Sequence, residues 1–80
     1  MGVDLTTGRL EMKYPVVYEP TSTGFSAYVP DLPGCVAAGP SLAETRELIA
    51  GAIALHVAGM REDGEPVPQP SLLEIVDVAV

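Results

Sequence analysis

The stretch from Ser41 to Gly64 constrains the fold more than any other, because its helix signals are strong and its middle is almost free of charge. Ser41 can accept a hydrogen bond from the backbone N–H groups of a first helical turn, and Glu44, three residues on, can reach back to the cap. Gly64 tolerates the left-handed conformation in which helices end, and Pro66, Pro68 and Pro70 cannot continue one. These signals predict one helix running through Glu62, roughly 30 Å long.

Charge sits at the two ends of this helix, on Glu44, Arg46 and Glu47 and then on Arg61, Glu62 and Asp63. Between Leu48 and Met60 the single ionisable side chain is His56. A helix lying on a sheet normally turns a polar face to water, and this one has hardly any. Leu48, Ile49, Ala52, Ile53, His56 and Met60 recur at helical spacing and suit a core. Ala50, Gly51, Ala54 and Ala58 form a second stripe, small enough to let another backbone approach closely. That stripe is the expected interface of a homodimer or tetramer. The run from Leu48 to Met60 is too short for a membrane span, which needs ~20 apolar residues.

Before the helix the pattern changes period. From Glu11 to Glu19, Met12, Tyr14, Val16 and Tyr18 alternate with Lys13, Val17 and Glu19, which predicts a strand. Pro15 cannot donate to a ladder, so its position must be unpaired or bulged. After the turn residues Pro20 to Gly24, Phe25, Ala27 and Val29 alternate with Ser26 and Tyr28, completing a hairpin. Pro30-Asp31-Leu32-Pro33-Gly34 is a second turn. Cys35 to Ala38 then forms a third, short strand.

Beyond the helix, residues 65–70 form an extended proline-rich connector. Leu72 to Val80 is rich in valine and isoleucine and is expected to be a last strand. Ser71 with Glu74 offers a rival helix cap there, but the β-branched run after them favours the strand. Residues 1–11 lack periodicity and are expected to be an N-terminal arm, with one domain over residues 12–80. The expected architecture is α+β, in the order β-β-β-α-β: an antiparallel three-stranded meander, one crossover helix on one face, and a last strand parallel to the first. Such crossovers are right-handed, so the helix covers one face only. The other face, with Tyr14, Tyr18 or Tyr28, is left to solvent or a second subunit.

A chain of 80 residues buries only about 60% of its unfolded surface or a little more, so oligomerisation would supplement a marginal core. Hydrophobic residues make up 48% of it and charged residues 19%, which argues against disorder. The net charge of −7 is opposite in sign to the footprint of a nucleic-acid binder and suits a basic protein partner. One cysteine cannot make an internal disulfide, and no secretory signal opens the sequence, so a cytoplasmic location is expected.

The strings Met12-Lys13-Tyr14-Pro15-Val16-Val17, Gly24-Phe25, Val29-Pro30-Asp31-Leu32-Pro33-Gly34-Cys35, Gly39, Ser41 with Glu44, and Pro68 with Pro70 resemble those of HicB-type antitoxins of bacterial toxin–antitoxin pairs. The resemblance covers roughly residues 12 to 78. It implies a partial RNase H-like fold without nuclease chemistry, and a role in binding and neutralising a small, basic, mRNA-cleaving toxin of HicA type. Many members carry a C-terminal helix-turn-helix or ribbon-helix-helix domain, of which this sequence shows none up to Val80. With a net charge of −7 and only Arg9, Lys13, Arg46 and Arg61 as fixed positive side chains, direct nucleic-acid binding is not expected of it. Asp31, Glu44 and Glu47 are the expected charged contacts to the toxin, with Leu32 and Pro33 as an apolar anchor.

The remaining chemistry is weak. Cys35 would need a nearby base to act as a nucleophile, and the one histidine, His56, falls on the apolar stripe of the helix. A packed cysteine and an interior or interface histidine are the expected roles. The alternative is an orphan oligomeric domain with a small-molecule-binding or minor enzymatic role around Cys35 and His56. Glu19, Asp31, Glu74 and Asp77 flank turns or stand singly, so no metal site and no cofactor is expected, and the chain is not expected to be an enzyme.

Overall fold

The computed structural model describes residues 2–3 and 10–80 of the chain. Six elements occur among them: β1 (Gly2–Val3), β2 (Leu10–Glu11), β3 (Val17–Pro20), β4 (Phe25–Tyr28), β5 (Val36–Gly39) and α1 (Leu42–Glu62). β1 and β2 form a separate two-residue antiparallel ladder, and most of the expected arm over residues 1–11 lies outside the described residues. The meander is β3-β4-β5, antiparallel throughout, with Val17 opposite Tyr28 and Tyr28 opposite Val36.

The first strand of the meander is shorter than its alternation suggests. The ladder begins at Val17, and residues 12–16 run outside it. Pro15 accounts for this: it lacks a backbone donor and restricts the residue before it. Thr21 N–H donates to the Gly24 carbonyl at 2.8 Å and closes the hairpin loop. A side chain at Gly24 would sit 2.1 Å from the Gly39 carbonyl oxygen, so only a residue without Cβ lets β4 and β5 meet the helix start this closely.

Helix α1 begins and ends where its signals place it. Ser41 is extended and its Oγ accepts from Glu44 N–H at 3.1 Å. At the other end Glu65 N–H donates to the Met60 carbonyl and Gly64 N–H to the Arg61 carbonyl, the paired bonds of a Schellman cap, with Gly64 at φ 70°. The helix packs chiefly on β5 and less on β4, so it is offset across the sheet. That offset selects the buried face: Thr45, Ile49 and Val57 are buried, while Leu48, expected in the core, is 49% exposed. Thr45 is the one buried polar side chain among the described residues. Its hydroxyl donates to the Ser41 carbonyl at 2.7 Å and lies 3.4 Å from the Phe25 carbonyl, tying the helix start to β4.

The core consists of Ala27, Val29, Leu32, Cys35, Ile49 and Val57, with Tyr14, Val16 and Tyr18 packed against it. Tyr14 and Tyr18 are thus half-buried, and of the three tyrosines only Tyr28 is left on the exposed side. The expected fourth strand is not formed among the described residues. Residues 65–80 have no regular secondary structure, and Leu72, Leu73, Ile75, Val76, Val78 and Val80 are all exposed. The segment has β-forming residues but no sheet edge beside it, and a strand needs a neighbour to satisfy its backbone.

Candidate functional site

Two adjoining features carry the surface chemistry: the turn over residues 29–35 and a groove between residues 12–14 and helix α1. The turn is closed by two successive backbone bonds, Leu32 N–H to the Val29 carbonyl and Cys35 N–H to the Leu32 carbonyl, both at 3.0 Å. Gly34 takes φ 85°, which an L side chain rarely adopts. The turn folds inward at Leu32, which is fully buried, and presents Pro33 to solvent. This corrects the apolar anchor expected at Leu32 and Pro33: Leu32 belongs to the core, because it fills the space beneath the turn, and Pro33 alone is on the surface.

Asp31 is engaged within the chain. Ser71 donates to it twice, from its backbone N–H to Oδ2 at 2.9 Å and from its hydroxyl to Oδ1. The Ser71 hydroxyl, and then its N–H, hold the Asp31 carboxyl below the ordinary value of 3.8, since both bonds favour the ionised form. A second tether lies close by. Tyr14 donates its hydroxyl to the Pro68 carbonyl at 2.6 Å, and burial, with the Asp31 charge adding to it, raises the Tyr14 pKa. Asp31 and Tyr14 therefore fasten the proline-rich connector to the body of the domain. Neither tether was anticipated, since they join residues 40 and 54 positions apart.

The other expected contacts are dispersed. Glu44 and Glu47 are exposed on the first turns of α1. Ala50, Gly51, Ala54 and Ala58 are exposed as a group, and three of them, Ala50, Ala54 and Ala58, join Ile53, Val57 and Arg61 as one wall of a groove of about 330 Å³. Met12 and Tyr14 form the opposite wall. Gly51 lies outside this groove, and a side chain there would meet open space.

Cys35 and His56 do not line the groove. Cys35 is buried and burial pushes its thiol pKa up, the opposite of what a nucleophilic cysteine requires. His56 is half-buried on the helix. Among the described residues no three His, Cys, Asp or Glu side chains gather into a potential metal site, and no helix is long and apolar enough to cross a membrane.

The family model described as "HicB_like antitoxin of bacterial toxin-antitoxin system" matches residues 14–79, which takes in the groove wall, the turn, the helix and the exposed C-terminal segment. The chain belongs to this HicB-like antitoxin family. It is similar to an "Uncharacterized 14.9 kDa protein in rep-hol intergenic region" of Haemophilus phage HP1 (strain HP1c1), 40% identical over 63 residues, covering 79% of this chain and 47% of that protein. The chain thus spans about half the length of the curated relative it matches. Among solved structures it is similar to a chain of a "HicA3 and HicB3 toxin-antitoxin complex", with TM-score 0.63 and 35% identity, covering 71% of this chain and 66% of that one. The α+β arrangement of a three-stranded antiparallel sheet and one helix is thus the fold of a HicB-like antitoxin.

Proposed function

We propose that this chain binds a small basic HicA-type toxin and silences its cleavage of mRNA. The observation that carries this reading is the likeness to a chain found in a HicA3–HicB3 complex, at 35% identity over 71% of this chain. The charge supports it. With a net charge of −7, the surface is suited to covering one that normally receives RNA, and it repels nucleic acid itself. The chain acts by binding and not by catalysis, in the cytoplasm, and without direct contact to DNA or RNA. The raised pKa of Cys35 weighs against the enzymatic alternative around Cys35 and His56.

Asp31, Pro33, Glu44 and Glu47 are the proposed toxin contacts, with Leu32 setting the shape of the turn from beneath. Ala50, Gly51, Ala54 and Ala58 are the proposed surface of self-association into a dimer or tetramer. In this reading residues 1–11 are an arm, residues 12–80 are the domain, and the fold is a partial RNase H-like one whose fourth strand forms only where Leu72–Val80 meets a sheet edge. The test is co-expression with the toxin encoded beside this chain, or with another of HicA type, followed by purification on a tag carried by the toxin. The complex should co-purify, and Glu47→Lys should slow association and flatten its salt dependence. An active, folded cognate toxin that emerges alone would remove the antitoxin reading.

A further inference from the structure

The C-terminal segment and the groove have complementary properties. Six large apolar side chains between Leu72 and Val80 are at least 67% exposed, a patch too concentrated to be ordinary surface. In extended form Leu72, Val76, Val78 and Val80 would fall on one side and Leu73, Ile75 and Ala79 on the other, with Glu74 and Asp77 one to each side. A strand apolar on both sides is one that is covered on both sides. The groove offers such cover. Its walls are Met12 and Tyr14, outside any ladder, and Ile53, Ala54 and Ala58 of the helix, with Arg61 as its one charged side chain.

We infer that the groove of each copy receives the Leu72–Val80 segment of a second copy, in a reciprocal exchange that lays the segment as a strand beside residues 12–16. The connector decides for a second copy over the same chain. Pro66, Pro68 and Pro70 stiffen it, and the Tyr14–Pro68 and Asp31–Ser71 bonds fix its course, so that its own segment leaves the domain with its apolar side chains exposed. Tyr14 both lines the groove and holds Pro68, which puts the root of each segment beside the groove mouth. A two-fold axis near that mouth brings two roots together and lets each segment cross to the other copy. The reach is adequate. From Ala50 to Arg61 the helix wall runs roughly 16 Å, about five extended residues, and the segment has nine. Glu74 or Asp77 would meet Arg61, and strand addition would satisfy backbone groups that are unpaired in the single chain.

This deepens the proposed self-association and is independent of toxin binding. A chain with Ala54→Cys is mixed with an isotope-labelled chain carrying Ile75→Cys or, for the other side of the strand, Val76→Cys, and disulfides are mapped by mass spectrometry after mild oxidation. The expected product joins a labelled and an unlabelled chain. Ile75→Asp, exposed and therefore harmless to the single chain, should weaken the dimer roughly 10- to 100-fold by sedimentation. A disulfide closed within one chain carrying both substitutions would put the segment in its own groove and overturn the exchange. A disulfide joining two chains that both carry Ala54→Cys would leave self-association standing as helix-against-helix packing and overturn the exchange. A stable monomer at micromolar concentration would overturn both.

Discussion

Leu32, between Pro30 and Pro33, and the apolar segment that follows Pro70 and Ser71 have similar neighbours in sequence, yet Leu32 is fully buried and the large side chains from Leu72 to Val80 are exposed. The difference lies in what each finds nearby. Val29, Leu32 and Cys35 close three backbone bonds among themselves and share one core cluster with Ile49 and Val57. Leu72 to Val80 has only its root fastened, through Ser71 to Asp31, and beyond that meets neither a sheet edge nor the core. Apolar content alone therefore does not place a segment inside. It requires partners for the backbone as well as for the side chains.

Leu32→Ala empties the space beneath the turn. It should cost about 2–5 kcal/mol in chemical denaturation, out of the about 4–12 kcal/mol expected for a domain of 80 residues. Ile75→Ala, measured where the chain is monomeric, should change stability by less than about 0.5 kcal/mol. Equal losses at the two sites would mean that the C-terminal segment is packed in the single chain.

Gly24→Ala probes the close approach that organises the buried region. The new methyl group meets the Gly39 carbonyl, and β4 and β5 must shift, for a loss of about 1–3 kcal/mol by thermal melting. Ser41→Ala removes the acceptor of the Glu44 N–H bond and should cost about 1 kcal/mol, with amide exchange accelerating first in the opening turn of α1.

The smallest effect concerns the root of the exposed segment. Because Asp31 ionises more readily when folded, its bonds to Ser71 contribute fully above pH 3.8, the ordinary value, and are lost as pH falls through the lower folded value. An NMR titration should find the Asp31 midpoint below 3.8, and Ser71→Ala should return it toward 3.8. A midpoint unchanged by that substitution would mean that Ser71 does not hold the carboxylate.

Most of the fold is legible in local pattern. Ser41, Gly64 and the prolines beyond it bound α1 because capping is a matter of a few consecutive residues. The hairpin turns are legible for the same reason. What depends on distant contacts is not. Leu48, expected in the core, is half exposed and Val57 is buried because α1 lies toward β5, an offset that helical periodicity does not encode. The late start of β3 reflects Pro15, whose conflict with a strand is visible in sequence but whose resolution is not. Of the expected contacts, Glu44, Glu47 and the small stripe lie on the surface, whereas Leu32 is inside and Asp31 is bound to Ser71. The Asp31–Ser71 and Tyr14–Pro68 tethers span 40 and 54 residues and have no local signature.

Silencing of a basic ribonuclease by this acidic domain, as proposed, is tested by titrating a cognate HicA-type toxin with the purified chain and following cleavage of a labelled RNA. Cleavage should fall in proportion to added chain and reach zero at a fixed stoichiometry. Glu44→Lys with Glu47→Lys should shift the curve to higher chain concentration while leaving the far-ultraviolet circular dichroism unchanged. Cleavage that continues undiminished with the folded chain in several-fold excess would contradict the proposed silencing.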